Sequence, residues 1–588
     1  MLTRRTHTCG QLRSEHVGDE VIVQGWASAV RDRGGVTFVL LRDRHGLVQI
    51  TVDERCSDAI RELVKTVRLE YVLQVSGRVA ARDPGAVKSD MDTGEIEIIA
   101  TEIELLSGTQ PLPFAIGKQS EANEQTRLRY RYLDLRRPEL QKNIIIRHRA
   151  AQATRRALDS LDFLEIETPI LTKATPEGAR DYLVPSRVHA GHWYALPQSP
   201  QIFKQILMVA GMDRYFQLCR CFRDEDLRFD RQPEFTQIDI EMSFAPRELV
   251  MEVAEAVVRA MWQEVLGYEI PAIQQISYHE AIERFGVDAP DLRFEMELCT
   301  LTDVFASTSV PFLRSALDEG GVVRGFTVKG AAEGTSRKVL DKQWTPFIKQ
   351  YGLGGLSWAK VNAEGVSGPL GKLIPEGQLE AFCAATGCEA GDLVLVAFGE
   401  AGKVNTGLGK LRVQVAKDKE LIEDGFAFAW VVDFPLFEKD GDGNWTSMHH
   451  PFTAPKPEHT EWLGTERTGE VLSDAYDLVC NGNEIGGGSI RIHRSDIQER
   501  VFEALGIGEE EQREKFGFML DALSHGAPPH GGLALGFDRI IMWLCDTESI
   551  RDVIAFPKTT SAQDLMSGAP GAVQAHELVE LHVKNTVE

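Results

Sequence analysis

Between Val21 and Leu105 the chain carries five short segments rich in Val and Ile, namely Val21–Trp26, Thr37–Arg42, Leu47–Val52, Tyr71–Val79 and Glu95–Leu105. Gly, Asp or Pro separates each from the next. β-Branched residues favour extended backbone, and such punctuation marks the turns between strands. Five strands in so short a span point to a small closed β-barrel.

Among five-stranded barrels the OB-fold is the commonest, and periodicity alone leaves other small barrels open. After Pro111 and Pro113 the pattern becomes helical. Ile146, Ala150, Ala153, Ala157 and Leu161 recur three or four residues apart, which places them on one helix face. Pro169 closes an extended segment that follows. From about Gln201 helices alternate with strands, and a Gly-rich passage lies at Gly352–Gly355. Residues Pro290 to Asp424 hold no catalytic-looking cluster and read as a separate α/β insertion.

At 588 residues the chain exceeds one core. The expected architecture is multidomain α+β. A barrel occupies 1–107 and a hinge 108–134, with a catalytic domain in two parts, 135–288 and 425–560. The insertion spans 289–424 and a C-terminal extension 561–588.

A net charge of −24 argues at first against a nucleic-acid partner. Local fields matter more, because screening limits their reach to about 10 Å. Between Gln125 and Arg156 ten Lys or Arg face only Asp134 and Glu139, which makes either a solvated helix face or a surface for phosphate. No apolar run approaches a bilayer span, and Leu393 to Phe398 is typical of the longest. Arg4 and Arg5 have no apolar stretch behind them, so a cytoplasmic protein without a secretory signal is expected. The nine cysteines include no CxxC pair, and neither Cys219/Cys221 nor Cys383/Cys388 has partners at zinc spacing. Reduced thiols are the expectation.

No GxxxxGK[ST] sequence occurs, so a P-loop is excluded as the nucleotide site. Three other segments have suitable chemistry. In Phe222-Arg223-Asp224-Glu225, with Arg231-Gln232-Pro233-Glu234-Phe235, an arginine can hold an α-phosphate and a carboxylate can accept from an adenine amino group. Phe235 offers a stacking face. Gly532 to Arg539 combines small residues with an arginine at a helix entry. From Asp477 to Arg491, two carboxylates seven residues apart, Asp477 and Glu484, suit Mg²⁺, and Arg491 suits a carboxylate. Each segment alone reads equally well as a charged or glycine-rich turn. Their joint occurrence does not.

Pro169, Phe222-Arg223-x-Glu225 and Gly536-x-x-Arg539 resemble motifs one, two and three of the class II aminoacyl-tRNA synthetases. The N-terminal barrel resembles the anticodon-binding OB-fold of subclass IIb. Thr175–Asp181, Gln198–Lys204, Cys221–Asp226 and Met448–Phe452 are similar to the bacterial-type aspartyl-tRNA synthetases, as is the large insertion between motifs two and three. The similarity runs from Arg4 to Met566.

The resemblance implies aspartate, ATP and tRNA as substrates, Mg²⁺ as cofactor, and a homodimer with no membrane partner. Arg223, Glu225 and Arg539 would be catalytic and hold ATP, with Asp224, Gln232, Phe235, Glu484, Gly536, Phe537 and Asp538 around it. Asp477 and Glu484 would bind Mg²⁺. Glu177, Ser199, Gln201, Lys204, Arg223, Asp239, His450 and Arg491 would surround aspartate. In the barrel, Arg31, Phe38, Gln49 and Glu97 would meet the anticodon. Arg33 and Gly85 match positions linked to choosing between tRNA-Asp and tRNA-Asn. The expected partner is tRNA-Asp, with additional charging of tRNA-Asn as the alternative. Ala29 and Val30 stand where bacterial relatives commonly carry arginines, so phosphate contact should be weaker there.

The side chain of aspartate is an anion, and Lys204 and Arg491 are the fixed cations that would receive it. Asparagine would leave those cations without a counter-charge, which is expected to give discrimination without hydrolytic editing.

Overall fold

The computed structural model describes residues 4–117, 122–174, 178–228 and 230–586. They form two compact units. One takes the chain up to Ile145 with Ala555–Thr559 and Gln563–Pro570, and the other takes the remainder.

In the first unit, strands β1 (Glu20–Arg33), β2 (Val36–Asp43), β3 (Gly46–Val52), β4 (Val72–Ala81) and β5 (Ile96–Ser107) close into a barrel in the order β1-β2-β3-β5-β4. Val21, Val23, Val39, Leu41, Val48, Ile50, Val75, Ile96 and Ile98 alternate inward and are buried. Ile60 and Val64 of the helix Asp58–Thr66 pack against this core, and Ser57 caps that helix by accepting from the Ile60 N–H. The first strand runs past the apolar segment, to Arg33, because a bulge between Ala27 and Ala29 carries it on. Gly34 and Gly35, both with positive φ, then turn it into β2.

Most of the basic run after the barrel pairs within the chain. Arg127, Arg131 and Arg137 converge on the buried Asp134 at 3.8, 2.8 and 3.2 Å, and Arg136 reaches Glu70 at 3.0 Å. In the second unit, Arg149 and Arg156 share Glu264 while Arg155 pairs with Glu165. The side chains of Arg149, Arg155 and Arg156 stay 40–61% exposed, so on this helix the ion pairs sit on a solvated face.

The second unit is built on an eight-stranded sheet. Its strands, in spatial order, are Gln274–Ser277, Phe428–Val432, Ala475–Cys480, Asn483–Ile490, His530–Gly536, Glu234–Ser243, Arg214–Phe222 and Leu164–Glu165. All neighbours are antiparallel except the pair at each edge. One face carries Ile238, Ile240, Met242, Leu533 and Leu535, buried against three helices. These are Pro138–Ser160 from Ile146 onward, Arg247–Leu266, and Phe537–Cys545. Side chains alternate along a strand, so Gln237, Asp239 and Glu241 point to the opposite face. That second face is where polar groups collect.

Residues 289–424 contribute a five-stranded antiparallel sheet of their own, ordered Cys299–Thr300, Val322–Val328, Leu393–Gly399, Ser357–Asn362 and Gly365–Ser367. Leu393 and Leu395 enter one apolar cluster, beneath the helix Ala401–Asp418, while Val394 and Val396 enter another. Burial on both faces explains why this strand reads as an unbroken apolar run. Among the described residues no helix is long and apolar enough to cross a membrane.

Candidate active site

The polar face of the central sheet forms a floor of paired charges. Lys204, on the helix Gln201–Val209, donates from Nζ to Asp239 Oδ1 at 2.6 Å and lies 3.5 Å from Glu241 Oε2. Arg491 donates from Nε and Nη2 to the two oxygens of Glu241 at 3.0 and 3.1 Å. All four groups are at most 2% exposed. Burial by itself would raise the Glu241 carboxyl, but Arg491 and Lys204 hold it below the usual carboxylate range. Gly532 makes room for it, since a Cβ there would stand 2.2 Å from Glu241 Oε2.

Glu241 was not singled out by sequence, although Gln237, Asp239 and Glu241 recur at the strand period between Ile238, Ile240 and Met242. Its presence corrects the expected basis of selectivity. Lys204 and Arg491 already have counter-charges, so an amide ligand would not leave them unpaired.

Arg491 makes two further contacts, donating from Nη1 to Ser489 Oγ at 2.7 Å and to His450 Nε2 at 2.8 Å. On its other side His450 Nδ1 accepts from the Phe452 N–H at 3.2 Å and lies 3.4 Å from Thr453 Oγ1. Burial first, and the Arg491 charge second, push the His450 pKa well below the usual histidine range. Cys219 donates to the second oxygen of Asp239 at 3.3 Å. It lies 3.7 Å from Cys221, and that contact together with burial keeps it protonated.

These groups open into a cavity lined also by Ser199, Gln201, Arg223, Gln237, Asp288, His449, Asp477 and Glu484. The Nε2 of Gln201 is buried with no hydrogen-bond partner among the described residues. A second cavity meets the first at Arg223, Gln237, Glu484 and Ala534. Its walls are Glu225, Asp230, Arg231, Gln232, Phe235, Gly536, Asp538 and Arg539. The Arg223 guanidinium lies 5.2 Å from the Phe235 ring centre, and its buried Nε has no partner among the described residues. Arg539 donates to the Glu484 carbonyl and to Asp230 Oδ2. Glu225 accepts from Arg231 at 3.0 Å.

Three residues expected at the nucleotide are placed otherwise. Phe537 is 2% exposed and packs in the core beneath Arg147, because the helix that starts there turns its first side chain inward. Asp538 borders the cavity, but its carboxylate is held by Arg147 and by the Thr236 N–H at 2.7 Å. Asp224 does not line the cavity, and its backbone exchanges hydrogen bonds with Arg180. Glu177 falls outside the described residues.

Asp477 and Glu484 sit on adjacent strands and converge above Gly487. A Cβ at Gly487 would stand 2.4 Å from Asp477 Oδ1 and 3.4 Å from Glu484 Oε1. The missing side chain thus leaves a small cradle between two carboxylates, which fits a divalent cation of the size and oxygen preference of Mg²⁺. The Asp477 charge, reinforced by burial, raises the Glu484 pKa to about 7. Glu484 is open to the cleft, and the Asp477 charge beside it is the first cause of that shift. His449 Nε2 lies 3.6 Å from Asp477.

On the barrel, Arg31 and Phe38 face each other across β1 and β2. Phe38 belongs to the partly exposed outer face and not to the buried core. Beside it Gln49 and Thr51 both donate to Glu97 Oε2, at 2.9 and 2.6 Å. Arg33 and Gly85 are exposed, the first at the β1–β2 hairpin tip and the second in a short 3₁₀ turn.

Residues 123–560 match the family described as tRNA synthetases class II (D, K and N), and residues 21–106 match the OB-fold nucleic acid binding domain. The chain is 50% identical over 584 residues to the aspartate–tRNA(Asp/Asn) ligase of Caldanaerobacter subterraneus subsp. tengcongensis, covering 99% of this chain and 98% of that protein. It is 46% identical over 590 residues to the aspartate–tRNA ligase of Macrococcus caseolyticus, covering 100% and 99%. The crystal structure of asparaginyl-tRNA synthetase from Pyrococcus horikoshii complexed with asparaginyl-adenylate superposes with a TM-score of 0.60 at 18% identity, over 95% of this chain and 99% of that one. At that identity the likeness speaks for the fold, and it spans both barrel and sheet. With motif residues and paired cavities in place, and matches running the length of the sequence, the chain belongs to the class II tRNA synthetases for aspartate, lysine and asparagine, among the bacterial aspartate–tRNA ligases.

Proposed function

We propose that the protein activates L-aspartate with ATP and transfers it to the 3′ end of tRNA-Asp. The observation that carries this reading is the pair Lys204 and Arg491 at the cavity floor. The acceptors there, Asp239, Glu241 and His450 Nε2, are already engaged by Lys204 and Arg491, so what the floor offers a ligand is N–H donors. A carboxylate only accepts, whereas an amide presents an –NH₂ donor as well. A site of this kind discriminates by roughly 10⁴–10⁵ between groups of similar shape. Asparagine is thus refused by donor–donor conflict.

In activation, an oxygen of the aspartate α-carboxylate attacks the α-phosphorus of ATP. One P–O bond forms, the bond to the β-phosphate breaks, and pyrophosphate leaves. Arg223 stands where the two cavities meet, suited to hold the α-phosphate as charge develops. Arg539 flanks the nucleotide cavity, Gln232 lines its wall, and Phe235 offers the adenine a stacking face. Asp477 and Glu484 would hold Mg²⁺, which neutralises phosphate charge when bound. The barrel's outer face, with Phe38, Gln49 and Glu97, reads the anticodon. Exposed apolar side chains at Leu171, Leu183, Val188 and Trp193 support a homodimer. The protein works in the cytoplasm.

Arg223→Ala should lower aspartate-dependent pyrophosphate exchange by roughly 10²-fold or more, the usual loss for one stabilising donor. An unchanged exchange rate would remove Arg223 from this role. A second reading, charging of tRNA-Asn as well, is favoured by the name of the Caldanaerobacter relative. Aminoacylation of separate tRNA-Asp and tRNA-Asn transcripts distinguishes the two.

A further inference from the structure

Behind the floor of the cavity two thiols lie side by side. Cys219 and Cys221 stand two residues apart on the strand Arg214–Phe222, so both turn to the same face of the sheet. The neighbouring strand Glu234–Ser243 pairs with it in a register that sets Gln237 opposite Cys219 and Asp239 opposite Gln217. Gln237 and Asp239 therefore share the polar face with the two thiols. Both sulfurs and a carboxylate oxygen of Asp239 lie within 4.8 Å of one another. Cys219 is 4% exposed, and Cys221 and Asp239 are fully buried. The spacing of cysteines along the chain gives no sign of such a group, because its third member comes from another strand.

The separations are those of a coordination shell. Two thiolates about 2.3 Å from a tetrahedral cation stand roughly 3.8 Å apart, and a thiolate and a carboxylate oxygen about 3.6 Å apart. Cys219 Sγ lies 3.7 Å from Cys221 Sγ and 3.3 Å from Asp239 Oδ2. A disulfide would require the sulfurs to close to about 2.05 Å, whereas a cation between them asks for almost no movement. The other oxygen of Asp239 accepts from Lys204 at 2.6 Å, which fixes the carboxylate from its far side. Cys221 donates to Gln237 Oε1 at 3.1 Å, so a further oxygen stands beside the group. Gln237 also lines both cavities, which leaves the cluster one side chain away from the cleft.

Charge balance allows a dication at this depth. Each thiol gives up its proton on binding, so two protons leave as two positive charges arrive. The net charge beside Lys204 is then unchanged, and no unpaired ion is buried.

We propose that Cys219, Cys221 and Asp239 form a binding site for a thiophilic divalent cation, Zn²⁺ or its analogue Cd²⁺. Two soft sulfurs and one oxygen favour these ions over Mg²⁺. The site is separate from the cradle of Asp477 and Glu484, whose ligands are oxygens alone.

Titration of Cd²⁺ into the reduced full-length protein, stripped of metal and freed of thiol reductant, tests the assignment. The readout is the ultraviolet thiolate-to-cadmium charge-transfer band, which a carboxylate site does not produce. The band should saturate at one equivalent per chain, disappear on addition of Zn²⁺ and persist in excess Mg²⁺. Cys219→Ser and Cys221→Ser should each weaken binding by more than about 100-fold, beyond the roughly 10- to 100-fold usual for losing an outer partner of a metal ligand. Cys383→Ser, which removes the thiol beside Cys388, should leave the titration unchanged. The wild-type titration decides even if a serine variant fails to fold: absence of the band there overturns the site. A band that survives in Cys219→Ser and Cys221→Ser, or that is lost in Cys383→Ser, overturns it as well.

Discussion

Arg491 and Glu241 face each other across the central sheet with two parallel hydrogen bonds of 3.0 and 3.1 Å, both side chains at most 2% exposed. Lys204 stands 3.5 Å from the same carboxylate, so one glutamate fixes both cations of the cavity floor. Preorganisation of this kind spares the site from rearranging when an anion arrives.

Removing that glutamate leaves a buried guanidinium without its partner. Glu241→Ala should destabilise the fold by roughly 3–5 kcal/mol. Glu241→Gln keeps the shape and part of the hydrogen bonding and should cost less. Urea denaturation of both variants beside the wild type checks the order.

Gly487 has no substitute in the carboxylate cradle. The Cβ of Gly487→Ala would stand 2.4 Å from Asp477 Oδ1, so Asp477 must move away from Glu484. The Mg²⁺ concentration for half-maximal pyrophosphate exchange should rise about tenfold or more, which corresponds to about 1.4 kcal/mol of binding. A magnesium titration at saturating aspartate measures it, and an unchanged half-maximum contradicts the pairing.

His450 makes the floor sensitive to acid. Its pKa in the fold is held well below the roughly 6.5 of a free imidazole, by burial and by Arg491. In the window between those values the unfolded chain binds the proton and the folded chain does not. Stability from this group is therefore present above about pH 6.5 and is lost as the pH falls below it, by up to about 1.4 kcal/mol per pH unit. The urea midpoint of the wild type should drop more between pH 7.5 and 5.5 than that of His450→Gln. Parallel curves would assign the loss to other groups.

Phe38 separates tRNA recognition from chemistry. A base stacked on it is worth roughly 1–3 kcal/mol, so Phe38→Ala should weaken charging by about 5- to 150-fold. Aspartate-dependent pyrophosphate exchange should be unchanged. A parallel fall in both reactions would make the ring a structural element of the barrel.

The sequence made much of this legible, for identifiable reasons. The barrel strands announce themselves because Val and Ile alternate inward and glycines sit where φ must be positive, as at Gly34 and Gly35. Arg223, Phe235, Asp477, Glu484 and Arg539 lie in short motifs whose chemistry is local, and all of them line the two cavities. Glu241 could have been read from the two-residue alternation with Asp239. The basic run is only partly legible. Asp134, the local partner of Arg127, Arg131 and Arg137, stands within it, but Glu70 and Glu264, which pair with Arg136 and Arg149, are remote in sequence, and only the fold shows those pairs. Phe537 looked like a cavity residue because its neighbours are, but one step along a helix turns a side chain by about 100°.

The central claim is that the charged floor selects aspartate, and ATP–pyrophosphate exchange with aspartate, asparagine and lysine offered separately tests it most directly. The donor-only floor predicts exchange with aspartate and a rate for asparagine at least about 10⁴-fold lower in kcat/KM. Comparable exchange with asparagine, or exchange with lysine alone, would contradict the roles given to Lys204 and Arg491.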